Sequence, residues 1–389
     1  MSGLRDAVIV EYGRTAVGRA KKGKLKNTHP VDFAGQVLQS LLGKIPQLNK
    51  EDIGDIIIGC SKCEEVQGYN IANLIKFRAG IPYSVPAQTV NRFCSSSLQA
   101  IYTAANIIRT GDEDVIIAGG VETMSLLPMG TNDSMRNKWL QENEPGAYVP
   151  MGITAENVAE KYNISRQEMD QMSIDSHNKA ARAIEEGRFK DQIIPIKALN
   201  DEGNWEDFDI DEGVRIGSTL EGLGKLKTPF KENGKVTAAT SSQMSDGAGM
   251  IVLMSKEKAN SLNLRPIAKF VGFAVSGVDP NYMGLGPIAA VSKILNKTSI
   301  SLDQIDVIEL NEAFASQAIV CIKELKMNPE KVNINGGALA LGHPLGATGA
   351  VLTCKALSEL RRIKGKYALV TMCIGGGMGA ACMYENLCI

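Results

Sequence analysis

The sequence predicts an α/β protein made of two similar halves, with a segment inserted into the first half. Short runs rich in valine and isoleucine alternate with amphipathic helical patterns, which is typical of layered α/β folds. A strand, an asparagine-containing turn, a helix and a strand ending in glycines occur in this order in residues 53–120 and again in residues 302–377. Residues 121–250, between these repeats, have a different composition, with acidic helical patterns followed by a glycine- and lysine-rich passage.

The individual elements follow from local patterns in chain order. Strands are predicted over residues 7–10, 56–58, 115–118, 307–310 and 368–372, where apolar β-branched residues cluster. One helix is predicted over residues 30–42 and another after Cys94. Core packing explains the apolar positions that share one face of this second helix, namely Leu98, Ile101, Ala105 and Ile108.

Length and charge limit the classes of function. A chain of 389 residues exceeds the size at which one core stops growing. We expect an N-terminal half of residues 1–120 plus about 245–265, an inserted loop domain of residues 121–244, and a C-terminal half of residues 266–389. The 42 basic and 43 acidic residues leave a net charge of −1, which gives no overall attraction to nucleic acid or to an anionic membrane.

Targeting signals and cysteine usage predict a cytoplasmic protein. The N-terminus lacks the pattern of a signal peptide, the chain ends in LCI rather than SKL, and no apolar run is long enough to span a bilayer. Eight scattered cysteines without secretory context favour reduced thiols. Cys60 and Cys63 form a CxxC motif, but no second pair completes a zinc site, so we expect no metal and favour a core role over a redox role.

Cys94 is a candidate nucleophile because of its neighbours. It follows an apolar strand-like run and precedes three serines and a helical pattern. Serine is a preferred N-cap, so Cys94 is expected at the N-terminus of a helix. There the helix macrodipole favours thiolate over thiol and raises nucleophilicity near neutral pH. On these residues alone, a buried structural cysteine explains the pattern equally well.

Histidine is the usual partner of such a thiol, and the chain has three. His29 precedes an apparent helix start, and His177 lies among polar residues in the helical stretch 169–186, so both are predicted to be solvated surface positions. His343 lies in the glycine-rich segment 336–349, where Pro344 fixes φ beside the imidazole. A buried core histidine is the alternative, but the density of glycines favours a backbone that approaches a ligand.

A second thiol, Cys373, lies where a predicted strand runs into the glycines of residues 375–379. Each repeat would therefore offer one cysteine at the end of an element. A dinucleotide site is disfavoured because the spacing is not GxGxxG and no βαβ unit follows. A P-loop is absent, since no Gly-Lys pair is followed by serine or threonine.

Together these segments resemble the thiolase family, and the resemblance extends from Val8 to Glu385. The matching segments are residues 91–101, 119–125, 151–159, 283–287, 311–315, 335–349 and 373–379, in the family's order and spacing. The resemblance implies a thiolase fold of duplicated βαβαβαββ halves in a five-layered α-β-α-β-α arrangement with an inserted loop domain. It also implies that Cys94 becomes acylated, that His343 takes its proton, and that Cys373 moves the proton of the substrate α-carbon.

The resemblance further implies two oxyanion sites and a set of coenzyme A contacts. One oxyanion site would use His343 and a water held by Asn311, and the other the backbone N–H groups of Cys94 and Gly375. Coenzyme A and acyl-CoA would be substrates rather than permanently bound cofactors. The residues expected to contact them are Arg215, Ser242, Met151, Met244, Met283 and Phe314. The passage of residues 225–235 supplies lysines for the phosphates.

Differences from the family pattern bear on whether the chain resembles the degradative or the condensing members of the family. Ser97 stands where many members have glycine, and Ala239-Thr240 replaces a usual Gly-Asn pair. The Cys-Ser-Ser opening, the short stretch from residue 120 to 151, and Pro150 in place of histidine resemble degradative enzymes that cleave 3-ketoacyl-CoA in fatty acid β-oxidation.

Several alternatives remain open at this point. An acetyltransferase that condenses two acetyl-CoA molecules is the nearest, whereas a non-catalytic acyl-CoA or lipid carrier and a nicotinamide-linked oxidoreductase are more remote. Family members suggest a homodimer or homotetramer. Contact with other β-oxidation enzymes is not visible in the sequence.

Overall fold

The computed structural model describes residues 4–127 and 135–388. The strands in this part of the chain are β1 (Ala7–Arg14), β2 (Gly18–Arg19), β3 (Asp55–Gly59), β4 (Ala87–Val90), β5 (Val115–Glu122), β6 (Ile196–Leu199), β7 (Trp205–Phe208), β8 (Ser245–Ser255), β9 (Ala268–Gly277), β10 (Val307–Leu310), β11 (Tyr367–Ile374) and β12 (Met378–Asn386). The helices are α1 (Pro30–Gly43), α2 (Ile71–Arg78), α3 (Ser96–Thr110), α4 (Lys138–Asn143), α5 (Met151–Lys161), α6 (Arg166–Glu185), α7 (Leu220–Gly224), α8 (Lys256–Ser261), α9 (Gly286–Thr298), α10 (Ala315–Glu324), α11 (Ala338–Leu341) and α12 (Thr348–Arg362). Every predicted strand and helix above is present, and most are longer than predicted.

The main sheet contains the same arrangement twice. In the first half, β3 and β5 are parallel, whereas β5, β8 and β1 follow one another in antiparallel pairs. In the second half, β10 and β11 are parallel, whereas β11, β12 and β9 follow in antiparallel pairs. The halves meet where Val8 and Ile9 of β1 pair with β9. The predicted duplication is therefore confirmed in the strand order.

Five layers result from how these strands and helices pack. Side chains of α3 and α12 pack together with one face of both half-sheets in a single hydrophobic cluster, so these two helices form the middle layer. Helices α1 and α2 cover the outer face of the first half-sheet, and α9 and α10 cover that of the second. The four apolar residues predicted on α3 are fully buried. Burial of each large one contributes roughly 1.5–3 kcal/mol.

Close packing of α3 against α12 depends on small residues. A Cβ added at Gly349, in the first turn of α12, would lie 2.5 Å from the Leu98 backbone nitrogen. One added at Gly59, at the end of β3, would lie 2.2 Å from the Ser97 nitrogen. Ser97 itself accepts a 2.9 Å hydrogen bond from the Ala350 N–H through its hydroxyl. The serine that departs from the family pattern thus links the first turns of the two central helices.

Between β5 and β8 the chain forms α4 to α7 and the β6–β7 hairpin. A buried ion pair holds this segment to the first half: Arg14 donates to both Asp211 carboxylate oxygens, at 2.7 and 2.9 Å. The Val17 N–H also donates to Asp211, and Gln192 accepts from the Arg14 Nε. A buried pair with these additional hydrogen bonds fixes geometry, and removing one partner typically costs about 3–5 kcal/mol.

Helix α6, with 20 residues, is the longest of the described helices. It begins at a capping box in which Ser165 and Glu168 exchange side-chain and backbone hydrogen bonds, a strong start signal. Its buried face packs toward the second half of the chain, and its other face is charged. No helix in residues 4–127 or 135–388 is long and apolar enough to cross a membrane.

Candidate active site

Three residues singled out from the sequence line one cavity of about 690 Å³: Cys94, His343 and Cys373. Cys94 lies two residues before α3, His343 lies in the loop before α12, and Cys373 lies near the end of β11. The first two therefore lie in the segments that lead into the two central helices. In open α/β sheets, sites form beyond the carboxyl ends of the parallel strands, which is where this cavity lies.

A tight turn presents Cys94 to the cavity. Cys94 belongs to the 3₁₀ turn Phe93–Ser95, in which Phe93 has a φ of 44°, a left-handed conformation that costs roughly 1–3 kcal/mol for a bulky residue. The Phe93 N–H donates to the Asn91 carboxamide at 2.8 Å, and the Ser96 hydroxyl donates to the Phe93 carbonyl at 2.6 Å. The strained turn is thus held from both sides.

The protonation state of Cys94 differs from the sequence expectation. Burial raises the pKa of the Cys94 thiol to about 11, although hydrogen bonds from the Gly375 and Cys94 backbone N–H groups act in the opposite direction. Desolvation therefore outweighs these two hydrogen bonds, and the thiol is protonated at neutral pH. The same geometry places the Cys94 and Gly375 amides, predicted as oxyanion donors, next to the sulfur.

His343 is buried and held through every polar atom. Its backbone N–H donates to the Gln243 carbonyl at 3.1 Å and to the Ser245 hydroxyl at 3.2 Å. Its Nδ1 lies 2.6 Å from the Thr348 hydroxyl, and its Nε2 lies 3.4 Å from the Asn311 Nδ2. An amide nitrogen is a donor, so Nε2 is the accepting nitrogen and Nδ1 carries the proton.

Burial lowers the pKa of His343 to about 4. The imidazole is consequently neutral at neutral pH, with its unprotonated Nε2 available as a base. A neutral thiol and a neutral imidazole share the cavity, rather than a preformed thiolate–imidazolium pair. The chemistry open to this pair is proton transfer at the moment of nucleophilic attack.

Asn311 lies directly after β10 and is fully buried. Among the described protein atoms its carboxamide oxygen has no hydrogen-bond partner, whereas its nitrogen contacts His343. A buried polar atom without a partner costs about 1–3 kcal/mol. Such an atom beside the His343 imidazole is suited to fixing a polar group of a ligand.

Cys373 is almost completely buried, and burial together with the nearby Cys94 raises its pKa. The chain then makes a tight turn through Gly376 and Gly377, whose φ angles are 80° and 82°. A Cβ at Gly377 would also lie 2.4 Å from the Val278 carbonyl oxygen. Only glycine meets both demands, and the resulting turn holds the Gly375 amide at the Cys94 sulfur.

Most of the predicted coenzyme A contacts line the same cavity. They are Ser242, Met151, Met244, Met283 and Phe314. Met151 begins α5, and the Phe314 ring packs edge to face against Phe230, with centroids 6.2 Å apart. Phe230, which the sequence analysis did not single out, is itself part of the lining. Side chains of this kind make the cavity predominantly apolar, as small-molecule sites usually are.

Arg215 does not line the cavity and is exposed. Its neighbourhood is nevertheless ordered, because the Arg215 backbone N–H donates to the His177 Nδ1 at 3.1 Å. In the passage of residues 225–235, Lys225 and Lys231 are paired with Glu221 and Glu160. Part of the positive charge expected for phosphate binding is therefore already neutralised.

The prediction that His177 is a solvated surface residue is wrong. Only 6% of its surface is exposed, and burial lowers its pKa to about 4. Of the flanking polar residues, Asp175 and Asn178 are exposed, but Ser176 is buried. His177 lies on the inner face of α6 beneath the loop that carries Arg215. His29 is exposed as predicted, and its ring caps α1 by accepting from the Val31 N–H.

Glu122, at the end of β5, was missed by the sequence analysis. It is fully buried and accepts hydrogen bonds from the Ser61 N–H at 2.9 Å, the Gly346 N–H at 2.8 Å and the Gln67 side chain at 2.7 Å. Burial raises its pKa. Glu122 thus joins the loop after β3 to the loop that carries His343. The sequence feature that could have identified Glu122 is an acidic residue in an otherwise apolar and glycine-rich strand.

Alkylation of Cys94 should depend steeply on pH. Because only the thiolate reacts and the pKa of Cys94 is raised to about 11, its rate with iodoacetamide should rise about tenfold per pH unit between about pH 6 and pH 10. The measurement follows modification of the tryptic peptide of residues 93–109 by mass spectrometry. A plateau of the rate below about pH 8 would show a thiolate stabilised by its surroundings and contradict this account.

Thr348 should act as a positioning residue for His343. Replacing Thr348 with alanine removes the acceptor for the Nδ1 proton, and one such hydrogen bond is worth about 1 kcal/mol, so kcat should fall roughly three- to tenfold with little change in KM. Thr348→Ser keeps the hydroxyl and is the matched control, which should retain most of the activity. Equal losses in both variants would indicate a packing role instead.

Comparison with known proteins gives a consistent result over the whole chain. Residues 7–257 match the family model described as the thiolase N-terminal domain, and residues 264–386 match the one described as the thiolase C-terminal domain. A 3-ketoacyl-CoA thiolase of Bacillus subtilis (strain 168) is 47% identical over 390 residues, covering 98% of this chain and 100% of that protein. The peroxisomal 3-ketoacyl-CoA thiolase A of Mus musculus is 44% identical, covering 98% and 91%. The crystal structure of the Bacillus anthracis acetyl-CoA acetyltransferase is similar with a TM-score of 0.92 at 38% identity, over 99% of this chain and 100% of that one.

Proposed function

The chain belongs to the thiolase family, and we propose that it cleaves 3-ketoacyl-CoA with coenzyme A to acetyl-CoA and a shortened acyl-CoA, as in fatty acid β-oxidation. The observation that carries this proposal is the arrangement of two thiols and one imidazole in a single apolar cavity, with the backbone amides of Cys94 and Gly375 at one sulfur. These groups supply a nucleophile, a base, a second proton carrier and an oxyanion site.

In the first half-reaction, the Cys94 sulfur attacks the 3-keto carbon while His343 Nε2 takes the thiol proton. The new alkoxide lies on the carbon bonded to sulfur, so the Cys94 and Gly375 amides are the donors that reach it. The bond between C2 and C3 then breaks, its electrons pass to an acetyl-CoA enolate, and Cys373 protonates C2. One preorganised oxyanion donor typically stabilises such a state by about 3 kcal/mol.

The enolate oxygen requires a second set of donors. We assign it to His343, protonated after the first step, together with the carboxamide of Asn311, which lies 3.4 Å from His343 Nε2. In the second half-reaction, a new coenzyme A thiol loses its proton to Cys373 and attacks the acyl-cysteine. Cys94 then departs as a thiolate and recovers its proton from His343, so the protonation states of the free enzyme are restored.

Coenzyme A acts here as a substrate, with no permanently bound cofactor. We propose that Ser242, Met244, Met283, Phe314 and Met151 contact the pantetheine arm and thioester. The exposed Arg215 would meet the phosphates outside the cavity. Residues 121–244 would then form the loop domain that contacts the nucleotide. The N-terminal half would consist of residues 1–120 plus about 245–265, and the C-terminal half of residues 266–389.

An acetyl-CoA acetyltransferase is the second candidate, favoured by the similarity to the Bacillus anthracis enzyme. The wall of the cavity at Tyr148, Val149 and Pro150 bears on the choice. These side chains are apolar or aromatic, where the sequence analysis expects a histidine in acetyltransferases. An apolar wall accommodates a longer acyl chain and supports the degradative subtype.

The deciding experiment compares kcat/KM for thiolysis of acetoacetyl-CoA and 3-ketodecanoyl-CoA by the purified protein. Efficient cleavage of the longer substrate supports the proposed function. Reaction with acetoacetyl-CoA alone would replace it with the acetyltransferase function. Folded protein that cleaves neither substrate would contradict both.

We propose that the protein works as a homodimer or homotetramer. Strand β4 pairs with β3 on one side, and it lies at the end of the sheet order in the described residues. Nearby, Tyr69, Phe77 and Tyr83 are exposed large aromatic residues. An open sheet edge beside exposed aromatic side chains is the kind of surface that a second subunit covers.

We place this activity in the cytoplasm. All eight cysteines, including both proposed catalytic thiols, are free thiols. A reducing compartment maintains that state. A hydratase and a dehydrogenase of β-oxidation are the enzymes expected to supply its substrate.

A further inference from the structure

We propose that Cys60 and Cys63 form a reversible oxidation site, in which a hydroperoxide converts the two thiols to a disulfide and thereby disturbs the loop that carries His343. The CxxC motif lies outside the catalytic groups described above. Within residues 4–127 and 135–388, no group of three or more histidine, cysteine or acidic side chains is arranged to hold a metal ion. The pair must therefore be explained as thiols.

The turn that follows β3 brings the two side chains together. Cys60 is fully buried and Cys63 is exposed. The Cys63 sulfur lies 3.3 Å from the Cys60 carbonyl oxygen, and the Cys60 sulfur lies 3.6 Å from the Lys62 carbonyl oxygen. The two thiols are also near enough to interact, since each is the largest cause of the pKa shift of the other. A disulfide therefore needs only a local movement of the Cys63 side chain and its backbone.

The two thiols have different reactivities. The hydrogen bond from Cys60 lowers the pKa of Cys63, whereas the same interaction and burial raise the pKa of Cys60. Cys63 is thus an exposed thiol with enhanced thiolate character, the property that makes a cysteine sensitive to oxidants. Cys94, with a pKa raised to about 11, is less ionised and should react more slowly with peroxide.

The reaction needs a hydroperoxide as the oxidant and two electrons from the thiols. The Cys63 thiolate attacks one peroxide oxygen, the O–O bond breaks, and a sulfenic acid forms with release of an alcohol, or of water when the oxidant is hydrogen peroxide. The Cys60 sulfur then attacks the Cys63 sulfur, and the hydroxyl leaves as water with the Cys60 proton. Exchange with a small thiol reduces the disulfide and restores both cysteines.

Glu122 connects this turn to the active site. The Ser61 and Lys62 N–H groups lie between the two cysteines and donate to the Glu122 carboxylate at 2.9 and 3.3 Å. The same carboxylate accepts the Gly346 N–H at 2.8 Å, three residues after His343. The two loops are tightly packed here, because a Cβ at Gly346 would lie only 2.5 Å from the Ser61 nitrogen. Disulfide formation would rotate the peptides between the two cysteines, and this movement would shift the loop that carries His343. Lys62, which lies between the cysteines, also lines the cavity.

The sequence makes the disulfide easy to map. Trypsin cleaves after Lys62, so the two cysteines fall on separate peptides of residues 51–62 and 63–76. Reduced full-length protein is treated with hydrogen peroxide, alkylated and digested. We expect these two peptides to be joined by a disulfide before the Cys94 peptide loses its alkylation, and dithiothreitol to separate them. Both peptides remaining alkylated while Cys94 becomes oxidised would overturn the proposal.

The effect on activity is tested on the same samples and depends on the proposed thiolase function. Wild type and the control Cys388→Ser, which removes a partly exposed cysteine elsewhere, should lose thiolysis on oxidation and regain it with dithiothreitol. Cys63→Ser should show no reversible loss. Formation of the Cys60–Cys63 disulfide without a change in thiolysis would overturn the proposal that the disulfide disturbs the loop that carries His343. The peptide mapping does not need turnover, so it is interpretable even if the proposed thiolase reaction fails.

Discussion

Replacing Cys94 with alanine should reduce thiolysis of 3-ketoacyl-CoA by about four orders of magnitude or more, to the background rate. The mechanism passes through an acyl group on the Cys94 sulfur, and Cys373 cannot replace it because the backbone N–H groups proposed to stabilise the alkoxide, those of Cys94 and Gly375, lie at the Cys94 sulfur. The oxyanion donors, Cys94 N–H and Gly375 N–H, are backbone groups and remain in the variant. They have no covalent intermediate to stabilise without the thiol.

Two measurements check this prediction. The first is kcat/KM for wild type, Cys94→Ala and the control Cys388→Ala, which removes another partly exposed thiol and should stay fully active. The second is mass spectrometry after incubation with acetyl-CoA, where an acetyl group should appear on the peptide of residues 93–109 in wild type and in Cys388→Ala but not in Cys94→Ala. Normal turnover by Cys94→Ala would exclude acyl-cysteine chemistry at this site.

Much of the fold was predictable because strands and helices of the repeated halves have strong local patterns. Among the strands that were missed, the long ones are β8, β9 and β12. Strand β8 contains Gly247 and Gly249, which have low strand propensity, but it is fully buried and pairs with β1 on one side and β5 on the other. Hydrogen bonding to a strand on each side outweighs the low strand propensity of these glycines. Such pairing cannot be recognised from a single sequence.

The catalytic candidates were predictable for a different reason. Cys94 and Cys373 each lie near the end of a predicted element, one in each half, and only His343 among three histidines lies in a glycine-rich loop. Their grouping in one cavity agrees with what the resemblance to thiolases implies, and membership of that family is confirmed by matches to both family models. Their roles in the reaction stay predictions.

Properties that depend on long-range packing were not predictable. The direction of the pKa shift of Cys94 is set by burial, which the helix-terminus argument does not include. His177 is buried by a loop near residue 215, and Glu122 meets Gly346 across more than half of the chain. Contacts of this kind exist only once segments that are distant in the sequence have packed together.

Replacing His343 with alanine should lower kcat by roughly 10²–10⁴ at neutral pH, the usual contribution of a placed base. Without that base the reaction depends on the spontaneously ionised fraction of Cys94, and a thiol with a pKa of about 11 is ionised to only about one part in 10⁴ at neutral pH. The pKa of His343 is lowered to about 4, so in wild type the base is already deprotonated across the working pH range. Raising the pH should therefore not increase wild-type activity through this histidine.

The pH profile of His343→Ala separates loss of the base from loss of structure. Its kcat should rise about tenfold per pH unit between about pH 7 and pH 10, because hydroxide replaces the missing base in ionising Cys94. Recovery should remain incomplete, since the variant also lacks the imidazole assigned to the enolate oxygen. The control His29→Ala, which removes an exposed histidine at the start of α1, should match wild type. A residual rate in His343→Ala that does not change with pH would mean that His343 does not deprotonate Cys94.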